Sequence, residues 1–146
     1  MKTPKLFPTA APSSVLLVRL AVGSVFLSEG IQKFVFPAAL GVGRFVKIGI
    51  PAPEVMAPFV GIVEIVCGLL LLAGLAIRLA SIPLVIDMLV AIGSTKVPIL
   101  VKSGFWAMAH EARVDFTMLL GCIFFLIVGA GSISLDARIA RRQPTS

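Results

Sequence analysis

Gly61-Ile-Val-Glu-Ile-Val-Cys-Gly68 continues directly into Leu69-Leu-Leu-Leu-Ala-Gly-Leu75, and the whole run is apolar except for one carboxylate, Glu64. A helix needs about 20 apolar residues to cross the hydrocarbon core of a bilayer, and this run with its flanks is long enough. An ionised side chain placed there costs roughly 3 kcal/mol on insertion scales, so it should face protein or trapped water and have a partner. The stretch therefore predicts a bundle of membrane helices packed around buried charges.

The composition of the whole chain favours a membrane protein. Of the 146 residues, 58% are hydrophobic and 14% are charged, and the mean hydropathy is +1.07. A soluble domain of this size does not need so much apolar surface, whereas a bundle that faces lipid does. The net charge of +6 comes mostly from bases in predicted loops and tails, where they contact lipid headgroups, so a nucleic-acid partner is not expected.

The sequence contains no haem, flavin, iron–sulfur or metal-binding motif. Its single histidine, His110, excludes a multi-histidine haem or metal site within the chain. The two cysteines, Cys67 and Cys122, lie in apolar segments and form no C-x-x-C pair. Their similar predicted depth permits a contact between them, but small packing residues are the simpler interpretation.

Proline, glycine and apolar runs divide the chain into predicted helices. The predicted fold is all-α: an integral membrane bundle of four transmembrane helices, at about 14–36, 53–77, 79–97 and 111–133. Pro37 and Pro98 are expected to end the first and third helices, and a tight turn at Gly74 makes the second and third helices an antiparallel hairpin. Residues 38–53 are too short and broken to span, which predicts a short interfacial segment between helices 1 and 2. Residues 98–110 are expected to form a second longer loop.

These elements predict one membrane domain with two short ends. Residues 1–13 form a flexible Pro-rich lead, residues 14–135 the four-helix membrane domain, and residues 136–146 a basic soluble tail. The first apolar run is as long as a span and is followed by no A-x-A site, which indicates a retained helix rather than a cleaved signal peptide. Four spans place both termini on one side, and the positive-inside rule favours the cytoplasm for that side.

Charged residues of the predicted spans gather mainly in the outer half of the bundle. The candidate catalytic residues are Glu64, Glu29, Lys33 and Asp115, and the candidate ligand-binding residues are Arg19, Asp87, Lys96, His110, Glu111 and Arg113. Arg19 and Asp87 lie at similar depth in the inner half and are expected to pair separately, as a structural clip. Lys96 is nine residues from Asp87 and points the opposite way on a straight helix, so either it reaches the surface or the helix bends near Pro98.

These polar residues also have simpler interpretations. Buried ion pairs can fix the register of membrane helices and do nothing else. An intramembrane carboxylate can instead mark a pathway for a substrate, a proton or a quinone. His110 could relay protons near neutral pH, or it could be a polar cap at the membrane interface.

Small residues share helix faces with the charges. Gly23, Gly30 and Lys33 fall on one stripe of the first predicted helix. Gly61 and Glu64 fall on one stripe of the second. Small residues let the backbones of membrane helices approach closely, so these stripes are expected to be packing faces.

Several motifs follow one another along almost the whole chain, from about Val15 to Arg138. They are Gly23-x-x-Phe26-Leu27-x-x-Gly30-x-x-Lys33-Phe34, Gly61-x-x-Glu64-x-x-x-Gly68 with Gly74-Leu-Ala-Ile-Arg-Leu-Ala80, Glu111-x-x-x-Asp115-Phe116, and Gly129-x-Gly131-x-x-Ser134-Leu135-Asp136. In this order and spacing they resemble the DoxX family of small four-helix membrane proteins. The resemblance implies a multi-pass protein of the bacterial inner membrane. It also implies links to thiosulfate:quinone oxidoreductase subunits, to quinone and thiol stress, and to a mycobacterial complex with a sulfurtransferase and superoxide dismutase.

The first expectation for function is a membrane subunit of a quinone-linked or thiol-linked redox system. The charged cavity would bind a quinone non-covalently, Glu64 would hydrogen-bond to or protonate its carbonyl, and Lys33 or Lys96 would stabilise the developing oxyanion. Electrons would come from a partner, because the chain carries no redox-cofactor motif. The alternatives are a carrier or binding protein for a small hydrophobic molecule or lipid, acting as a homodimer, and a membrane scaffold for soluble redox proteins.

Overall fold

The computed structural model describes residues 11–142. They form an all-helical chain, which confirms that the fold is all-α. The helices are α1 (Val15–Val35), α2 (Val42–Lys47), α3 (Pro53–Ala73), α4 (Ile77–Ala91), α5 (Val97–Ser103), α6 (Phe105–Val128) and α7 (Leu135–Arg142), with a π-turn (Ile92–Lys96) that joins α4 to α5. Most of the predicted flexible lead, residues 1–10, and the last four residues of the predicted tail lie outside the described residues.

Three stretches among the described residues are long and apolar enough to cross a membrane. They are Val15–Val35, Pro53–Ala73 and the continuous stretch Ile77–Ser103. The fourth long helix, α6, has 24 residues, but charged side chains occupy its first half. Its span across the membrane therefore stays a prediction.

The helices α1 and α3 pack backbone to backbone. A Cβ atom on Gly30 would lie 2.7 Å from the carbonyl oxygen of Gly61, and one on Gly68 would lie 2.8 Å from the amide nitrogen of Leu27. Both distances are shorter than real Cβ contacts, so only glycine fits at these positions. The predicted small-residue stripes are therefore the interface of this antiparallel pair.

A second helix pair completes the bundle. The helix α4 packs mainly along α6, α3 also contacts α4, and α1 touches α6. The apolar core lies where the four long helices meet and is centred on Phe26, Leu71, Leu84 and Phe125, each at most 1% exposed. The short helix α2 packs on α3 and corresponds to the interfacial segment that the sequence predicts between helices 1 and 2.

The third predicted helix does not end at Pro98. Instead α4 passes through the π-turn and continues as α5 to Ser103, so the predicted end at residue 97 is wrong. In the π-turn the N–H of Val97 bonds to the carbonyl of Ile92, five residues back rather than four. Pro98 falls in the first turn of α5, directly after this wider turn, where a proline is tolerated.

Glycines with a left-handed backbone set the other helix boundaries. Gly74 has φ +74° and ends α3 at Ala73, four residues before the predicted end. Gly104 has φ +83° and separates α5 from α6, so the predicted loop 98–110 is mostly helix and α6 begins at Phe105. Gly129 has φ +85° and ends α6 at Val128 instead of residue 133.

The start of the predicted soluble tail packs on the bundle. Asp136, in the first turn of α7, is 4% exposed. Its carboxylate accepts hydrogen bonds from the N–H groups of Ala76, at 2.8 Å, and Ile77, at 3.2 Å. These two N–H groups lie at the start of α4 and have no partner within that helix. Asp136 therefore caps α4 from a distant part of the chain. The exposed remainder of α7 carries Arg138, Arg141 and Arg142.

Candidate functional site

A charged cavity of about 330 Å³ lies between α1, α3, α4 and α6 and is covered by α2. Eight charged side chains line it: Glu29, Lys33, Arg44, Glu64, Asp87, Lys96, Glu111 and Asp115. The remaining lining is apolar and includes Phe26, Phe45 and Met118. The structure thus brings all four predicted catalytic residues into one cavity, together with Asp87, Lys96 and Glu111 from the predicted ligand-binding set.

The central feature of the cavity is an ion pair between α1 and α3. The Nζ atom of Lys33 lies 2.5 Å from Oε2 of Glu64. The side chains are 11% and 4% exposed, so the pair is largely shielded from solvent. Lys33 is thus the partner that the sequence predicts for the buried carboxylate of Glu64. A charge-assisted hydrogen bond of this kind is short and comparatively strong.

A second ion pair joins the π-turn to α6. The Nζ atom of Lys96 lies 2.9 Å from Oδ2 of Asp115, and the two side chains are 9% and 24% exposed. On a regular helix Lys96 would point away from Asp87, yet both line the cavity. The π-turn provides the reason, because its wider coil takes up extra residues and rotates Lys96 inwards. The predicted alternative of a surface-reaching lysine is wrong, because Lys96 is buried and paired. The other alternative, a helix that bends near Pro98, stays a prediction.

The hydroxyls of the π-turn stabilise this distortion. Ser94 donates to the carbonyl of Val90 at 2.7 Å, and Thr95 donates to the carbonyl of Ala91 at 2.6 Å. Carbonyl groups near a π-turn lose their regular partners four residues on, so side-chain donors satisfy them. The sequence Ser94-Thr95 directly before Lys96 was the available signal for this local geometry.

Asp87 does not pair with Arg19, so that prediction is wrong. The carboxyl of Asp87 instead lies in the cavity wall, close enough to interact with Glu64 and Lys33. Its Oδ2 atom is buried and has no hydrogen-bond partner among the described residues. Asp87 is therefore part of the charged lining of the cavity, next to the Lys33–Glu64 pair.

Arg19 lies outside the cavity and acts as a structural cap. It is 2% exposed. Its guanidinium donates to the carbonyls of Leu71 at 2.8 Å, Leu72 at 2.7 Å, Ala130 at 3.2 Å, and Ile133. The carbonyls of Leu71 and Leu72 lie in the last turn of α3, where the regular partners four residues on are missing. The carbonyl of Leu71 also accepts a hydrogen bond from the N–H of Gly74, at 3.2 Å. Arg19 therefore joins the end of α3 to the turn after α6 and is removed from the predicted ligand-binding set.

Two other predicted ligand-binding residues also lie outside the cavity. His110 and Arg113 are exposed on the first turns of α6. The guanidinium of Arg113 bonds back to the carbonyl of His110 at 2.5 Å, within the same helix. Glu111, which lies between them in sequence, does reach the cavity wall. Three residues that the sequence grouped together thus lie in one turn of α6, and only Glu111 lines the cavity.

Sequence reasoning missed Arg44 as a cavity residue. It lies on α2 and lines both the cavity and a wider space of about 680 Å³ that adjoins it. The shared lining of the two spaces consists of Arg44, Lys96 and Glu111. We call the wider space the vestibule. The available signal was the prediction of a short interfacial segment at residues 38–53, which contains Arg44.

Cys67 and Cys122 lie in the core of the bundle and belong to one buried apolar cluster. They are 7% and 0% exposed, and both are free thiols. Within residues 11–142, no group of three or more His, Cys, Asp or Glu side chains is placed to hold a metal ion.

Comparison with known proteins identifies the family. The DoxX family model matches residues 14–103 of the chain. The chain belongs to the DoxX family. It is 53% identical over 145 residues to a membrane protein of Mycobacterium tuberculosis described as uncharacterised, covering 95% of this chain and 89% of that protein. It is also 28% identical over 121 residues to a Bacillus subtilis protein named "Putative oxidoreductase CatD", covering 83% of each. No solved structure matches the chain.

The part matched by the DoxX model runs from α1 to the end of α5. It contains both residues of the Lys33–Glu64 pair, together with Asp87 and Lys96. The helix α6, which supplies Asp115, lies beyond it. The DoxX match and the M. tuberculosis relative together support a membrane protein with several candidate spans.

Proposed function

We propose that this DoxX protein is a four-span membrane subunit of a quinone-linked or thiol-linked redox system, whose charged cavity binds a quinone head non-covalently. The observation that carries the proposal is the buried Lys33–Glu64 pair inside a cavity of about 330 Å³. Ligand pockets in proteins commonly occupy about 300–1,000 Å³ and place a few polar groups within an apolar wall. Charged side chains that lie within membrane segments commonly mark substrate or proton pathways.

The distribution of charge on α6 supports its role as the fourth span. Its charged residues lie in the first half, where Glu111 and Asp115 line the cavity and Arg113 is exposed. The second half is apolar through to Val128. A helix with this pattern can cross a bilayer because its charges face protein or the polar headgroup region.

The basic residues support an orientation with both termini in the cytoplasm. Arg138, Arg141 and Arg142 on α7 lie at the same end of the bundle as Arg78, which follows the turn at Gly74. An excess of Lys and Arg favours the cytoplasmic side of a membrane protein. The proposed location in a bacterium is the inner membrane, with the charged cavity and its vestibule towards the outer face.

The cavity residues suit the protonation of a quinone. Reduction of a quinone to a quinol takes two electrons and two protons, one for each carbonyl oxygen. Lys33 and Lys96 can each donate a hydrogen bond to an oxygen on which negative charge develops. The carboxylates of Glu64 and Asp115, which lie beside these lysines, can each take up a proton from the aqueous side and pass it to one quinone oxygen, which accounts for the two protons. The electrons come from a partner of the soluble redox class.

The proposal is tested by the substitution Glu64→Gln, which keeps the side-chain volume and removes the ionisable carboxyl. Native mass spectrometry of protein extracted with its own lipids is expected to show bound quinone in the wild type and none in Glu64→Gln. The matched control is Glu54→Gln, since Glu54 is an exposed carboxylate at the start of the same helix. Quinone retained by Glu64→Gln at the wild-type level would contradict the proposal.

A second candidate function is a binding or carrier protein for a small hydrophobic molecule. The vestibule of about 680 Å³ favours it, because a mouth wider than the cavity itself would admit such a molecule from the aqueous side. Movement of a solute across proteoliposomes without any electron donor would support this function. Flux only in the presence of a donor would support the redox subunit instead.

A further inference from the structure

The vestibule differs from the charged cavity in the sign of its charge. Its charged side chains are those of Arg44, Lys47, Lys96 and Glu111, which are three bases and one carboxylate. The cavity behind it is lined by five carboxylates and three bases. An anion is therefore attracted to the vestibule, and the carboxylates of the cavity oppose its passage further into the bundle. The vestibule, at about 680 Å³, has room for a small anion or a lipid headgroup.

The two exposed bases of the vestibule are carried by the helix α2. Arg44 and Lys47 are three residues apart, so their side chains are neighbours on one face of this helix. Within residues 11–142 neither side chain forms an ion pair or a hydrogen bond. Like charges at neighbouring positions on a helix repel each other, and an anion bound between them would remove that repulsion.

The third base of the vestibule, Lys96, is buried. It is 7% exposed, and its Nζ atom lies 2.9 Å from Oδ2 of Asp115. An ammonium group has three N–H donors, so the pair with Asp115 leaves donors of Lys96 for a ligand in the vestibule. Ser94 and Thr95 also line this space, but their hydroxyls donate to backbone carbonyls of α4. Binding of an anion therefore depends on the three bases.

The helix α2 is anchored to the bundle, which fixes the position of its two bases. The N–H of Gly43 donates to the carbonyl of Pro37 at 3.0 Å. A Cβ atom on Gly43 would overlap the carbonyl oxygen of Ala38, so only glycine allows this close contact. Phe45 is 9% exposed and lines the charged cavity from above. Because the backbone is already ordered, binding at Arg44 and Lys47 costs little conformational entropy.

We propose that the vestibule is a binding site for a phosphate group, held by Arg44, Lys47 and Lys96. A phosphate presents oxygens in several directions, so it can accept hydrogen bonds from bases on α2 and on the π-turn at once, and a guanidinium can bind two of these oxygens. The helix α2 corresponds to the predicted interfacial segment, where dissolved phosphate and the phosphate of a lipid headgroup are both within reach. The site is separate from the quinone site of the proposed function and does not depend on it.

Free phosphate is tested by equilibrium dialysis of radiolabelled inorganic phosphate against the protein in dodecyl maltoside, a detergent without phosphate. Lys47→Gln and Arg44→Gln each remove one charged donor and are each expected to weaken binding about tenfold. Lys47 lines the vestibule and not the cavity, so Lys47→Gln leaves the cavity unchanged. Lys102→Gln is the matched control, because Lys102 is an exposed base on α5 that does not line the vestibule. It is expected to bind phosphate as the wild type does.

The substitution Glu111→Gln tests the sign of the electrostatic effect. It removes the carboxylate of the vestibule and is expected to strengthen phosphate binding about threefold. A general loss of structure would weaken binding in any variant, whereas a gain requires the anion to lie near Glu111. Unchanged or weaker binding in a Glu111→Gln protein that is folded by circular dichroism would contradict the proposal.

Native mass spectrometry distinguishes the two sources of phosphate. It compares the retention of phosphatidylglycerol with that of diacylglycerol, which has the same chains and lacks the phosphoglycerol headgroup. Preferential retention of phosphatidylglycerol, lost in Lys47→Gln and kept in Lys102→Gln, assigns the site to a lipid headgroup. Binding of inorganic phosphate with equal retention of the two lipids assigns it to dissolved phosphate.

Two results would overturn the phosphate site. One is equal binding of the phosphate probes by the wild type, Arg44→Gln and Lys47→Gln, and the other is failure of the wild type to bind either probe. Bound quinone is measured in the same mass spectra, so either result leaves the test of the proposed function unaffected.

Discussion

Replacing Arg19 with Met should destabilise the protein strongly, although Arg19 lies outside the charged cavity. The guanidinium donates four hydrogen bonds, to the carbonyls of Leu71, Leu72, Ala130 and Ile133. Met fills much of the same space and removes the cost of burying a charge, but it removes one donor from each of these four carbonyls. Within the described part of the chain, only that of Leu71 keeps a bond, from the N–H of Gly74. The decrease in the free energy of unfolding therefore measures how much Arg19 contributes by capping α3 and the turn after α6.

The magnitude follows from the number of bonds. At about 1 kcal/mol for each lost hydrogen bond, the free energy of unfolding should fall by about 4 kcal/mol. Hydrogen bonds measured within a membrane protein average about 0.6 kcal/mol, which sets a lower value of about 2 kcal/mol. Both values are large compared with the effect of an ordinary surface substitution, which stays within about 0.5 kcal/mol.

The assay is unfolding in mixed detergent micelles with increasing dodecyl sulfate, followed by circular dichroism. Arg138→Met is the control, because it removes the same functional group from an exposed position on α7. An unfolding free energy of Arg19→Met within about 0.5 kcal/mol of the wild type would refute the capping argument. Combining Arg19→Met with Asp87→Asn should give additive effects, whereas coupling of about 1 kcal/mol or more would indicate the ion pair that the sequence predicts.

Two further stability predictions follow from the packing. Gly30→Ala places a methyl group against the backbone of α3 and should lower the free energy of unfolding by about 1–3 kcal/mol in the same assay, while Gly93→Ala, which meets nothing within 4 Å, should not destabilise the protein. Equal loss in both variants would show that the α1–α3 contact is looser than described. A double-mutant cycle of Lys96→Met with Asp115→Asn should give a coupling of about 1–3 kcal/mol, and a coupling near zero would place Lys96 outside the cavity.

Much of the candidate site could be predicted from the sequence. Depth along each helix follows from residue number, so the convergence of Glu29, Lys33, Glu64 and Asp115 needed only the helix order and the rise per residue. Charged side chains inside apolar runs are costly to expose to lipid, so their burial against one another can be predicted.

The rest of the site depends on local backbone geometry that a straight-helix argument does not include. A π-turn rotates Lys96 inwards, whereas a regular helix would place it on the side opposite Asp87. Similar depth suggested that Arg19 and Asp87 are partners. The ends of α3 and α6, however, offer Arg19 four carbonyl acceptors that no side-chain pattern reveals.

The sequence by itself determined that the chain is helical, that its long apolar runs suit a membrane, and that Gly23, Gly30 and Gly61 mark packing faces. Length, hydropathy and the spacing of small residues are properties of each segment, and they do not depend on how the helices pack. Only the tertiary structure decided which charges pair, and that Arg44 lies between a charged cavity and its vestibule. The physical reason is that partners are chosen by the rotation of one helix against another, which neighbouring helices and turns set together.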